Sequence, residues 1–397
     1  MSLQVISRFA PAVVPKTPTA VFLREGNLMY AEGEAIVLRS RGEDRIQELS
    51  AKWQELVADS AIQDEVRLWG SGLVGFTSIS FSAQSGFESV VIVPAKLTVI
   101  RDGYSFVTEV MPPGPAAQNT TPSGKFAAGS MTESGFLAQT KNAIELIQTT
   151  DLEKVVLARD LVMPLESEPD LSPALEKLHA RYPHCWTYLV ADNFGASPEL
   201  LLRSEAAEVS ARVLAGTAAR GTDPDVDRAI AEGLAHSSKN KHEHEYAVRS
   251  LMQSLADFCE NLEADSQPFS LALPDLWHLA TDVRGKLKQG VTLLDAVSAL
   301  HPTAAVAGTP TTLAQKTIAE LEPFDRGGYA GPIGWIAADG SGELAIALRG
   351  GRVEREPLQI RAFAGCGIVA ESEPAAELEE TELKFRAVRY ALETSPN

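Results

Sequence analysis

The chain has 397 residues, 45% of them hydrophobic and 22% charged, and a formal net charge of −18 at pH 7. That is enough chain for one large core or for two or three average ones. So acidic a composition excludes the basic patch that nucleic acid or an anionic membrane requires, yet leaves room for a small anion gripped by a few local cations.

Cys185, Cys259 and Cys366 are far apart and odd in number. No disulfide framework is expected from them, and a reducing, cytoplasmic setting is. The N-terminal MSLQVISRFAPAVVP lacks a charged segment followed by a long apolar one, and windows such as SVVIVPAKLTVI are too short to cross a bilayer. A soluble protein is expected.

Over residues 1–110, alternation and turn residues predict strands near 20–30, 71–81 and 89–101 and a helix at 45–58, with the strands in antiparallel sheet. Residues 111–129, MPPGPAAQNTTPSGKFAAG, are rich in Pro, Gly, Ser and Thr and are predicted to be a linker or loop. This divides the chain into an N-terminal α+β part (1–110), a linker (111–129) and a region from 130 to 397 that holds the recognisable chemistry. There the pattern predicts a helix at 132–148 and a strand at 154–163. A short helix precedes CWTYLVAD, and SPELLLRS with AAEVSARVLAGT reads as a hairpin pair. A long helix starts near 223 or 239 and is predicted to run to 262, with His244, Ala247, Leu251, Leu255, Phe258 and Leu262 on one inward face. LWHLATDVRGKL reads as a strand, 293–300 and 311–321 as helices, and GGYAGPIGWIAA, GELAIALRGG and LQIRAFAG as glycine-bearing strands. Strands in hairpin-like runs with helices in blocks predict α+β with large antiparallel sheets, not a doubly wound fold.

The last helix, 374–392, opens on Pro374, which suits the first helical turn. Glu377, Glu380 and Lys384 stand at i, i+3 and i+7 and share a stripe with Val388 and Ala391. Glu379, Glu382, Arg386 and Arg389 lie towards the other, solvated side. Two carboxylates and an ammonium therefore point inward, which is costly unless they are paired or hold a metal. A plain surface pair of Glu380 with Lys384 would be the simpler account.

Other candidates are weaker singly. His242 and His244 form an HxH pair, but i and i+2 on a helix face different sides, which argues against a shared zinc. Carboxylates such as Glu243 meeting Glu377 and Glu380 would make an all-oxygen site suited to Mg2+. Lys154 opens a β-branched strand; it is either an exposed flank or a partly buried base. Glu199 is either an edge carboxylate or, in apolar surroundings, a proton donor near neutrality. Gly216 and Gly221 permit close backbone approach and Thr217 offers a hydroxyl, while Gly365 and Gly367 could present N–H groups to a carboxylate; both glycine pairs also read as ordinary turns between strands. Arg349, at the end of ELAIALR, could grip a carboxylate bidentately. No dinucleotide fingerprint, P-loop or Gly-x-Ser-x-Gly occurs.

KVVLARD, SPELLLR, LAGTAARG, KNKHEHEY, LWHLAT, ALHPTAAVAGTP, AELEPFDRGGYAGPIGW and FAGCGIVAESEP…ETELK stand in this order, and together they resemble the chorismate-utilising enzymes over about residues 132–391. LHPTAAVAGTP and AELEPFDR look most like isochorismate synthase. The resemblance implies an α+β sandwich with helices outside and a cleft between sheet and helices. It implies Lys154 as the base that activates water and Glu199 as the acid that protonates the departing hydroxyl. Glu243, Glu377 and Glu380 match the Mg2+-binding glutamates, and Arg349, Lys384, Gly365 and Gly367 match groups that hold substrate carboxylates. Gly216, Thr217, His278 and Tyr329 fall at positions lining the pocket. Lysine at 154, where the ammonia-using relatives resemble glutamine, implies water as nucleophile, so no glutaminase partner is expected; a monomer is. Salicylate synthases share the lysine but go on to expel pyruvate. Isochorismate would feed menaquinone or siderophore synthesis. Cys366 stands where the family commonly has alanine, and Ala218 and Ala219 replace larger residues of some relatives.

Overall fold

The computed structural model describes residues 2–111, 114 and 119–393, with the side chains of 238–240, 242 and 243 outside the description. Two long strands, Asn27–Ser40 and Ser89–Arg101, organise the sheet. They pair antiparallel from Leu28↔Ile100 to Ser40↔Ser89, with a register shift between Glu34 and Ile36. A bulge of this kind bends and over-twists a strand, so the pair reaches into both sheets of a sandwich.

On one flank Ser89–Arg101 pairs with Val74–Ser78, and the sheet continues through Pro332–Ala337, Gly342–Ile346, Leu200–Glu205 and Glu208–Ala219 to Leu276–Leu287. On the other, Asn27–Ser40 pairs with Ala20–Arg24, and the sheet continues through Trp186–Val190, Asn193–Ser197, Gly350–Arg355 and Leu358–Ile368 to Lys154–Pro164. All of these pairs are antiparallel, whereas Gln4–Phe9 pairs parallel to Ala61–Asp64. The architecture is α+β with a large antiparallel sheet. Strands from both sides of residues 111–129 share it, as in the pairing of Val74–Ser78 with Pro332–Ala337.

The space between the flanks is filled by strand residues alone or nearly so, among them Phe22, Met29, Phe76, Val99, Trp186, Tyr188 and Trp335. Helices cover the outside. Arg45–Asp59, Glu133–Thr149, Ser238–Leu255, Leu293–Leu300 and Thr311–Leu321 pack into one apolar cluster, to which both sheet ends contribute (Leu201, Val213 and Val283 from one, Val155, Leu157 and Ile368 from the other). Ser172–Arg181 and Pro374–Leu392 cover a second. Where the two sheet ends converge under the final helix lies the cleft.

The expected strand at 20–30 is a hairpin, Ala20–Arg24 and Asn27–Ser40, turning at Glu25, whose φ is 51°. The long helix is also shorter than expected. Pro224–His236 and Ser238–Leu255 are separate helices, and Cys259–Ala264 is a strand paired with Leu276–Leu287. The apolar spacing of Phe258 and Leu262 suits either state, and pairing with a strand far along the chain decided it. Of the expected linker, 112–113 and 115–118 lie outside the described residues, while Ala127–Ala128 pairs with Leu161 and Val162. Cys185, Cys259 and Cys366 are all buried free thiols. Among the described residues no helix is long and apolar enough to cross a membrane.

Candidate active site

A cavity of about 240 Å3 occupies the cleft, and its wall includes Lys154, Glu199, Gly216, Thr217, His278, Tyr329, Arg349, Gly365, Gly367, Glu377, Glu380 and Lys384. Every predicted site residue but one is thus brought together. The exception, Glu243, lies on the helix Ser238–Leu255, but its side chain falls outside the described residues.

Lys154 begins its strand, where Thr309 and Gly308 pair with Lys154 and Val155. Gly308 sits at φ 136°, and a Cβ there would stand 2.1 Å from the Lys154 carbonyl oxygen; only glycine lets the segment 304–310 close on this strand end. Glu199 opens the strand Leu200–Glu205 from the opposite wall, with its N–H donated to Ser197 Oγ at 3.2 Å. It is only 7% exposed. Burial pushes its carboxyl up to about 8, against the opposing pull of Lys154, Arg349 and Lys384. Glu199 is therefore an acid at neutral pH, facing a cavity that also holds an amine.

Thr217 and His278 are cross-strand partners, and a register shift between Ala215 and Thr217 takes up Gly216 at φ 85°. A glycine bulge re-aims the side chain that follows it, and Thr217 Oγ1 lies 3.1 Å from His278 Nδ1. Arg349 Nη2 lies 3.1 Å from His278 Nε2. Burial, then the charges of Arg349 and Lys384, hold His278 well below its ordinary value, so the ring is neutral. His244, by contrast, is engaged at both nitrogens, with Thr281 Oγ1 at 2.7 Å and the Ala215 carbonyl at 3.3 Å. It ties its helix to the strand beside Gly216, which leaves it no free nitrogen for a metal.

The final helix supplies the acidic side. Lys384 Nζ donates to Glu380 Oε1 at 2.6 Å and to the Gly365 carbonyl at 2.7 Å. Burial works against the Glu380 anion, but Lys384, Arg349 and Lys154 outweigh it, and its carboxyl is held below the usual range. Glu377 goes the other way: burial raises it, the hydrogen bond from Ser372 opposes this, and the nearby Glu380 charge adds to the rise. Ser372 Oγ donates to Glu377 Oε1 at 2.7 Å, and the Cys366 thiol to the Glu377 carbonyl at 3.5 Å. Two carboxylates that repel each other across a cavity wall form an oxygen donor set that suits a hard cation such as Mg2+. Among the described residues no three His, Cys, Asp or Glu side chains converge on one point.

Gly365 and Gly367 do not form a turn. They lie within the strand Leu358–Ile368, opposite Ala158 and Val156. A Cβ at Gly365 would stand 2.9 Å from the Leu157 carbonyl and 3.2 Å from the Tyr329 hydroxyl, so the glycine is there for close approach. The second glycine segment is likewise strand up to Ala219. Tyr329 stacks on Phe363 with centroids 5.0 Å apart. Phe363 and Arg326 line the cavity too and were missed. Arg326 ends the AELEPFDR motif, but a lone arginine after Asp in a glycine-rich loop reads as surface. Here it donates to Glu322 at 2.6 and 2.8 Å and to the carbonyls of Val156 and Val306 at 2.7 and 3.0 Å.

This architecture and lining define a chorismate-binding enzyme. The family model described as chorismate binding enzyme matches residues 109–393, and the chain belongs to that family. It is 32% identical over 410 residues to a salicylate biosynthesis isochorismate synthase of Pseudomonas aeruginosa, covering 95% of this chain and 85% of that one. It is 35% identical over 270 residues to isochorismate synthase MenF of Bacillus subtilis, covering 67% and 57% respectively. In fold it matches the menaquinone-specific isochorismate synthase of Escherichia coli with a TM-score of 0.78 at 21% identity, over 98% of this chain and 94% of that one.

Proposed function

We propose that the chain is an isochorismate synthase: water adds at C2 of chorismate, the ring double bonds shift, and the C4 hydroxyl leaves as water. The observation that carries this reading is the pairing, in one cavity, of an amine with a carboxyl that keeps its proton near neutrality. Lys154 takes the proton from the attacking water. Glu199 delivers one to the departing hydroxyl from the opposite wall. Each proton transfer can supply roughly a hundred- to ten-thousand-fold in rate.

Chorismate is a dianion, and an acidic protein must concentrate cations locally to bind it. Arg349 and Lys384 are the groups assigned to its carboxylates, with Gly365 and Gly367 in the same cavity wall. The chain Thr217–His278–Arg349 fixes where the guanidinium points, and Tyr329 stacked on Phe363 shapes the apolar wall. Glu377, Glu380 and Glu243 would hold Mg2+, whose chemistry when bound is to polarise the ring carboxylate and draw density from the ring. Water as nucleophile leaves no role for a glutaminase partner.

Incubation of the purified protein with chorismate and Mg2+, followed by chromatography, should yield isochorismate. Salicylate with pyruvate as the main products, or anthranilate when ammonia is supplied, would overturn the reading. Lys154→Ala should abolish turnover while leaving Mg2+-dependent chorismate binding largely intact.

A further inference from the structure

Each turnover in the proposed reaction leaves Lys154 with one proton more and Glu199 with one fewer. Before the next, a proton must leave Nζ for solvent and another must reach the buried Glu199 carboxylate. We infer that a second cavity, behind Glu199, is the route by which solvent returns that proton; the inference rests on the functional reading above.

This cavity, of about 260 Å3, lies between the helix Ser238–Leu255, the segment 299–305 and the helix Thr311–Leu321. Glu199 and Ala305 line it and the substrate cavity alike, so they form the partition between the two. Its lining carries the hydroxyl and amide side chains of Ser250, Ser254, Thr303, Thr311 and Gln315 beside apolar ones such as Leu201, Val213 and Ile346. At about 30 Å3 per water it has room for several, and these hydroxyl and amide groups are the partners that such waters need. Among the described residues Thr303 Oγ1 is buried without a hydrogen-bond partner, which is the state of a hydroxyl that hydrogen-bonds to ordered water.

The other two polar groups here are committed elsewhere. Arg212 is held by Asp282 at 2.6 and 2.9 Å. His301 donates from Nε2 to the Phe81 carbonyl at 3.0 Å, and burial, then the charge of Arg45, hold it down to about 3. Both leave the waters as the carriers. The route also gives a purpose to the HPTAA sequence: His301 to Ala305 all line the second cavity, and only Ala305 faces the first as well.

The test is rapid-quench turnover by the intact, Mg2+-supplied protein, comparing wild type with Thr303→Val and Ser254→Leu, neither of which lines the substrate cavity. Glu199 starts protonated, so the first turnover should run at the wild-type rate and give one isochorismate per active site. Later turnovers should fall about tenfold, as they do when a step other than chemistry becomes limiting, and imidazole buffer should partly restore them. A misfolded fraction lowers the size of the burst without changing the ratio of first to later turnovers, so that ratio decides. A ratio near one in both variants overturns the route. Wild type that forms no isochorismate overturns the functional reading instead.

Discussion

Arg349 and His278 meet at 3.1 Å, Nη2 to Nε2, and the contact determines the tautomer of the ring. A guanidinium only donates, so Nε2 must accept, and the proton sits on Nδ1, from which it is donated to Thr217 Oγ1 at 3.1 Å. Arg349 itself is held at φ 56°, a left-handed conformation that costs a non-glycine residue about 1–3 kcal/mol. Such strain persists only where the surroundings over-determine it, and here a neutral histidine anchored by a bulged strand does so. The result is a half-buried guanidinium that lines the cavity in one orientation.

Arg349→Lys should therefore be far from conservative. Lysine keeps the charge but loses the planar fork, and losing a hydrogen bond to a charged group costs about 1.5–3 kcal/mol, roughly ten- to a hundredfold in kcat/KM. Most of the loss should appear as a raised KM for chorismate. Steady-state kinetics that show an unchanged KM would remove Arg349 from carboxylate binding.

In the proposed reaction Glu199 acts as the acid and must be protonated, and that form predominates below about 8. Activity should therefore fall as pH rises through about 8. In Glu199→Gln turnover should drop by about 100- to 10,000-fold, and what remains should lack this alkaline limb. A pH profile of kcat/KM for both proteins checks the point; an alkaline limb that survives in the variant would assign it to another group.

How much of this was legible beforehand depends on the range of the interactions. The stripe of Glu377, Glu380 and Lys384 is local to one helix, and helical spacing alone brought it to one side. Lys154 and Glu199 are different. Each stands at a strand start that reads as an exposed flank, and each becomes an inner wall through partners far along the chain, Thr309 for Lys154 and Ile346 for Glu199. Only the ordered motifs pointed to them. The bend of the long strands at Glu34–Ile36 and the strand fate of Cys259–Ala264 have no local cause that a pattern could report.

The carboxylates of the final helix should make the enzyme metal-dependent. Glu380→Gln removes a charge from the set and also the partner of Lys384, so it should weaken Mg2+ affinity and activity together. Calorimetric titration of Mg2+ measures the first without turnover. Full activity in EDTA would exclude the carboxylate assignment.

The wall that carries Lys154 depends on a buried ion pair. Glu322 and Arg326 are 1% and 3% exposed in their side chains. Glu322 accepts twice from Arg326 and also takes the N–H of Ala158 at 2.8 Å, while Arg326 reaches the carbonyls of Val156 and Val306. The pair thus clamps the strand Lys154–Pro164 to the segment after the HPT sequence. Removing one partner strands the other as a buried charge, which costs about 3–5 kcal/mol. Glu322→Ala should lower Tm sharply. Glu322→Gln, which keeps the volume and one acceptor oxygen, should lower it less. Turnover should fall with both, because Lys154 lies four residues from the loosened Ala158 and is aimed by the same strand. Thermal unfolding of the two variants beside the wild type tests the clamp, and equal Tm values in all three would show that it contributes nothing to holding the wall.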